Sequence, residues 1–185
     1  MSKTAERLGA AQWVHAALTA LATGGVNAVK VEPLAARLGV TKGSFYWHFA
    51  DRRALLDAVL SAWEKQATAN VIAFVDAKHS SPRERLKTLI TLTTEVDEAA
   101  GVEHAIRAWG AGDAAVRRRL VRVDGAREAY VRDLLVAAGL SRARATARAR
   151  LLYLTLIGEF TWVSHGGAPS GRALWAELYG LMVDE

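Results

Sequence analysis

Apolar residues in this chain recur at separations of three and four, and nowhere do they alternate with polar ones over a strand-length run. That regularity confines the chain to helices. Trp13, Val14, Ala17, Leu18 and Leu21 mark one face of the first helix, and Leu86, Leu89, Ile90, Leu92 and Val96 mark another further on. Glycine and proline supply the breaks. A helix over about Thr4–Thr23 should end at Gly24-Gly25, and Pro33 should open a short one that Gly39 ends. Thr41 should cap a third helix, Lys42–Phe49, and Asp51 a fourth that runs to roughly Phe74. Pro82 should open a fifth that Gly101 ends, followed by a short helix over Glu103–Trp109 bounded by Gly110 and Gly112. Asp113 should cap a long helix closed by Gly139. A very apolar helix follows over 141–164, then a Gly166-Gly167-Ala168-Pro169 loop and a last helix from Ser170 or Gly171. The fold class is therefore all-α, with about nine helices.

A chain of 185 residues fits one compact unit or a small head on a larger body. The absence of cysteine removes disulfides, thiolate metal sites and cysteine nucleophiles together, and suits a cytoplasmic location. The charge-free stretch from Leu8 to Val29 superficially resembles a secretory leader after Lys3 and Arg7. Gln12, His15 and Thr19 interrupt it at helical spacing, so it reads as an ordinary amphipathic helix. No segment has transmembrane length, and no membrane association is expected. The five histidines show no metal-ligand spacing, and no catalytic constellation, metal or cofactor is expected. Glu95, Asp97 and Glu98 read as a solvated face or pocket rim rather than acid–base machinery.

The net charge of +5 is uneven: +4 over residues 1–53, −3 over 54–116, +7 over 117–150 and −3 over 151–185. In the third segment the arginines scatter round two helices, with Asp124 three before Arg127 and Glu128 four before Arg132, so that segment reads as locally paired, solvated faces and dimer rims. The first segment is better organised. Leu34, Ala35 and Leu38 give one short helix a buried side, Gly39 supplies a turn, and Val40 plugs the angle to the next helix. On that next helix Phe45 and Phe49 share the inward face. Gly43 and Trp47 then face outward, flanked by Ser44 and Tyr46, with His48 at the side. Five consecutive bulky residues, Phe45-Tyr46-Trp47-His48-Phe49, cannot all be core, and the outward set suits phosphates, sugars and base edges. This is a helix-turn-helix geometry.

The run from Val31 to Phe49, VEPLAARLGVTKGSFYWHF, continued by Asp51-Arg52-Arg53-Ala54-Leu55-Leu56, resembles the tetracycline-repressor (TetR) family of bacterial regulators over roughly the first 60 residues. The resemblance implies a three-helix DNA-binding head (1–53), a linking helix over 51–75, and a ligand-binding and dimerisation body (54–185). It also implies DNA contacts at Thr41, Lys42, Gly43, Ser44, Tyr46, Trp47 and His48, and a phosphate contact at Arg52. Val31-Glu32 departs from the hydroxyl cap and polar contact common in the family, so no DNA contact is assigned there. The implied partners are palindromic double-stranded operator DNA, a second copy of the chain, and an unidentified, mostly apolar small-molecule effector.

In the body, the expected effector pocket lies between the fifth and seventh helices. His104, Arg107 and Trp109 are its candidate ligand-binding residues, with Trp109 as reporter and possible hinge. The candidate dimer face consists of Leu151, Leu154, Gly158, Trp162, Leu174 and Leu178, because the last two long helices are apolar on more than one side. Two other readings fit the composition: an all-helical carrier or enzyme with a non-functional head, and a helical module that needs a protein partner. Neither accounts for the outward Gly43/Ser44/Tyr46/Trp47 face.

Overall fold

A computed structural model of the chain describes residues 8–94 and 97–184. Among these the regular elements are all helical, in the order α1 (Ala10–Ala28), α2 (Val31–Leu38), α3 (Lys42–Tyr46), α4 (Arg52–Glu64), a π-helical segment (Lys65–Ala69), α5 (Asn70–Lys78), α6 (Pro82–Thr94), α7 (Asp97–Gly112), α8 (Ala114–Ala137), α9 (Arg142–Ser164) and α10 (Arg172–Val183). The π segment joins α4 to α5 without a break, so the described residues form nine rods.

The expected stops and starts mostly hold, with identifiable differences. Within α1, Gly24 and Gly25 leave helical geometry, Gly25 at φ 66°, so the expected break is present although helical turns resume beyond it. The expected start at Thr4 lies outside the described residues; Gly9 is the N-cap. The second helix begins two residues before Pro33, which sits in its first turn, where a missing N–H costs nothing. Gly101 does not end a helix. It lies inside α7 on the side packed against α1, where an added Cβ would meet the Ala22 Cβ at 3.4 Å. The short Glu103–Trp109 helix is accordingly part of a 16-residue one. The Asp51 side chain accepts from the Ala54 amide, and Asp113 accepts from Ala115 and Val116 at 2.8 and 3.2 Å, as capping requires.

Two separate clusters of buried side chains hold the chain together. The first joins Trp13, Leu21, Leu34, Phe45, Leu55 and Trp63 to Ile106, Val116 and Leu120, so the head and part of the body share one core. The second gathers Leu86, Ile90, Val131, Leu135, Leu152, Trp175 and Met182 from α6, α8, α9 and α10. Arg119 and Arg127 correct the reading of 117–150 as wholly solvated. Arg119 reaches across to Glu64 on α4 at 2.8 Å, and Arg127 reaches Glu103 on α7 at 3.1 Å. The expected local pairs give way to tertiary ones: Asp124 meets Arg107 and Glu128 meets Arg150.

Candidate nucleic-acid interface and internal cavity

The turn between α2 and α3 is set by Gly39 at φ 68°, a left-handed conformation that lets the Val40 amide reach back to the Ala35 carbonyl at 3.0 Å. Phe45 is fully buried and meets the Trp13 ring edge-on at 5.3 Å, and Phe49 packs beside it at 5.6 Å. That anchoring turns the other aromatic side chains outward: Trp47 is 88% exposed and Tyr46 55%. Thr41, Lys42 and Gly43 are exposed beside them, with Ser44 half-buried. Thr41 holds the N-cap position, yet its hydroxyl makes no capping bond and stays free for another partner. Lys42 is held by Glu32 at 2.5 Å, and this ion pair raises the lysine pKa and lowers that of the carboxylate. His48 Nε2 bonds the Leu8 carbonyl at 2.8 Å, which ties the end of the motif to the segment before α1.

The body contains a cavity of about 340 Å³. Residues of α1, α4, the π segment and α5 to α10 contribute to its wall, chiefly Leu18, Ile72, Leu89, Val131, Leu156 and Phe160. One end is polar. There Glu103, buried on α7, accepts from Trp63 Nε1 at 3.1 Å, from Arg127 Nη1 at 3.1 Å and from Arg107 Nη2 at 2.7 Å. Behind it Asp124 accepts from Arg107 Nη2 at 2.8 Å and from the Tyr153 hydroxyl at 2.6 Å. Burial alone would push the Asp124 carboxyl up, but these hydrogen bonds and the two guanidinium charges outweigh it and hold the group below its ordinary value. Burial and the Asp124 bond push the Tyr153 phenol up, so it remains a donor.

The expected ligand residues are not those that line this space. Arg107 stands in the second layer, bound to Glu103 and Asp124. His104 meets His165 edge-on at 5.1 Å on another side of α7. Trp109 packs against the first core, and α7 continues through Gly110. A pocket bordered by the fifth to seventh helices is present, but the tryptophans bordering it are Trp63 and Trp175. Their indoles lie in runs that read as ordinary core, and only the fold brings them together. The side chains of Glu95, Asp97 and Glu98 lie outside the described residues. Among the described residues no cluster of His, Asp and Glu could hold a metal ion, and no helix is long and apolar enough to cross a membrane.

Residues 14–59 match the model of bacterial regulatory proteins of the tetR family. The tetracycline repressor protein class A from transposon 1721 of Escherichia coli is 47% identical over 49 residues, 26% of this chain and 23% of the repressor. The HTH-type transcriptional regulator TtgW of Pseudomonas putida is 30% identical over 100 residues, 46% of this chain and 74% of TtgW. This chain belongs to the TetR family.

A solved TetR-family regulator from Rhodococcus sp. superposes with a TM-score of 0.72 at 23% identity, over 98% of this chain and 100% of its own, which shows the shared fold. The chain spans less than half the length of three of the curated relatives it matches, the class A repressor among them. One position that the TetR resemblance assigned to phosphate has other bonds in the unbound chain. Arg52 Nε and Nη2 each donate at 2.5 Å, to the carbonyls of Val29 and Val26, closing the end of α1. On α9, Leu151, Leu154, Gly158 and Trp162 fall on one face; the three large side chains are exposed, and nothing lies within 4 Å of where a Gly158 Cβ would be. Leu174 on α10 is likewise exposed. Leu178 instead turns inward onto the second core, and Leu181 is the exposed leucine of that turn.

Proposed function

We propose that this chain is a cytoplasmic, homodimeric transcriptional repressor that binds a palindromic operator and releases it when a small, mostly apolar effector enters the cavity. The observation that carries the reading is the outward Tyr46 and Trp47 at the end of α3, which stops at Tyr46 rather than at Phe49, and in the turn after it, pinned by Phe45 and Phe49. Thr41, Lys42, Gly43, Ser44 and His48 complete the DNA-facing set, and Arg52 positions the head by closing α1. One short recognition helix makes too few contacts, so two heads about one DNA turn (~34–36 Å) apart, or a multiple of it, read the two half-sites together.

The exposed stripe of Leu151, Leu154, Gly158 and Trp162 with Leu174 and Leu181 supports a four-helix interface around a two-fold axis. Effector release requires that the ligand prefer one spacing of the heads over another.

The test begins with selection of an operator by the purified chain from random duplexes. Lys42→Ala should then lower the salt slope of operator binding by about one unit. Tyr46→Ala should weaken binding with the fold intact. Leu154→Arg should give a monomer or aggregate with operator binding lost. Wild-type affinity in all three variants would overturn the assignment.

A further inference from the structure

We propose that the cavity selects an uncharged effector and rejects carboxylates and ammonium ions built on the same carbon skeleton. The proposal rests on the effector reading above and adds the chemical class. Every charge at the polar end of the cavity is already matched. Arg127 donates through Nε to the Thr68 hydroxyl at 2.9 Å, through Nη1 to both Glu103 oxygens at 3.1 and 3.2 Å, and through Nη2 to the Ala67 carbonyl at 3.3 Å. Glu103 takes a third donor from Arg107, whose other bonds go to Asp124 and to the Tyr153 oxygen at 3.0 Å. Two guanidinium groups and two carboxylates thus balance in charge, and of the guanidinium nitrogens buried here Arg107 Nε has no partner.

The remaining polar side chains of the wall are neutral. The Tyr130 hydroxyl donates to Asp76 at 2.8 Å, and Thr93 donates to the Leu89 carbonyl at 3.0 Å. An anionic ligand could gain a cation only by drawing Arg127 from Glu103, which would strand a buried carboxylate. A cationic ligand could gain an anion only by drawing Glu103 from both arginines, with the same penalty. An uncharged molecule fits the apolar walls and disturbs neither pair. The volume of about 340 Å³ lies at the small end of the usual ~300–1,000 Å³, which suits a compact aromatic or a medium alkyl chain.

The experiment uses the full chain and two skeletons, decyl and naphthylmethyl, each carrying an alcohol, a carboxylate or an ammonium group at pH 7. Binding is read by calorimetry and by quenching of tryptophan fluorescence, with Trp63 and Trp175 at the wall. The expected result is binding of at least one alcohol, with its charged analogues at least tenfold weaker. Glu103→Gln removes one negative charge from the set, so carboxylate binding should rise at least tenfold relative to the alcohol while ammonium binding does not. If that variant fails to fold, the wild-type series decides alone. A wild-type preference for either charged analogue overturns the proposal but leaves an effector site standing. Absence of binding by all six overturns both, and operator binding by the same sample tests the DNA reading independently.

Discussion

Glu32 and Lys42 meet on the outer edge of the helix-turn-helix, both well exposed, and their contact bears directly on DNA affinity. A lysine committed to a carboxylate must release it before it can neutralise a phosphate, and the freed carboxylate then repels the backbone. Glu32→Ala should therefore tighten binding to random duplex several-fold at low salt and steepen the salt dependence by about one phosphate. Fluorescence anisotropy across a salt series measures both, and an unchanged affinity would show that Lys42 does not face the backbone. Arginine roles were harder to read from sequence than aromatic ones. Phe45 and Phe49 reveal their inward face by a spacing of four. Arg127 sits in a run of arginines that looks solvated, and its partner Glu103 is 24 positions away. Nothing local distinguishes a buried guanidinium from an exposed one when its counter-charge arrives from another helix.

At the scale of elements, α7 is the piece whose sequence misleads. Gly101 and Gly110 read as stops, since helix propensity disfavours glycine, yet packing of the first against α1 and of the second against α8 outweighs that preference, and only Gly112 ends the helix. A Cβ at Gly101 would meet Ala22 at ordinary contact distance, so alanine fits, but a side chain that extends past Cβ must push the two helices apart. Gly101→Leu should cost about 1–3 kcal/mol by overpacking, seen as a lowered denaturation midpoint, whereas a helix-ending glycine in open solvent would tolerate the change. The head helices were legible because turn chemistry and apolar spacing act within 20 residues. The cavity was legible only as an expectation, because eight helices and the π segment each lend it between one and four residues, most of which resemble core. The π segment was invisible altogether. It carries Gln66, Ala67 and Thr68 at the cavity wall, and Arg127 grips it at the Ala67 carbonyl and the Thr68 hydroxyl. π-Helical turns of this kind tend to occur at functional positions.

Over the whole molecule, the division into a head and a body does not coincide with the division into cores. The first buried cluster spans α1 to α4, α7 and the first half of α8; the second holds α6, the rest of α8, α9 and α10. Of the helices with buried residues in these clusters, only α8 contributes to both, through Val123 to one and Val131 to the other. The cavity lies along that seam, with Trp63 from one cluster and Leu152 and Trp175 from the other on its wall. Differential scanning calorimetry of the unliganded chain should give a calorimetric enthalpy larger than the van't Hoff value, as two blocks melt in sequence. Agreement of the two enthalpies would mean that α8 welds the blocks into one unit. A molecule seated in the seam touches both blocks and binds only while both stand, so its binding energy is forfeited whichever melts first. Occupancy should then show itself as a gain in cooperativity, two overlapping heat-absorption peaks fusing into one sharper peak, before any operator is added.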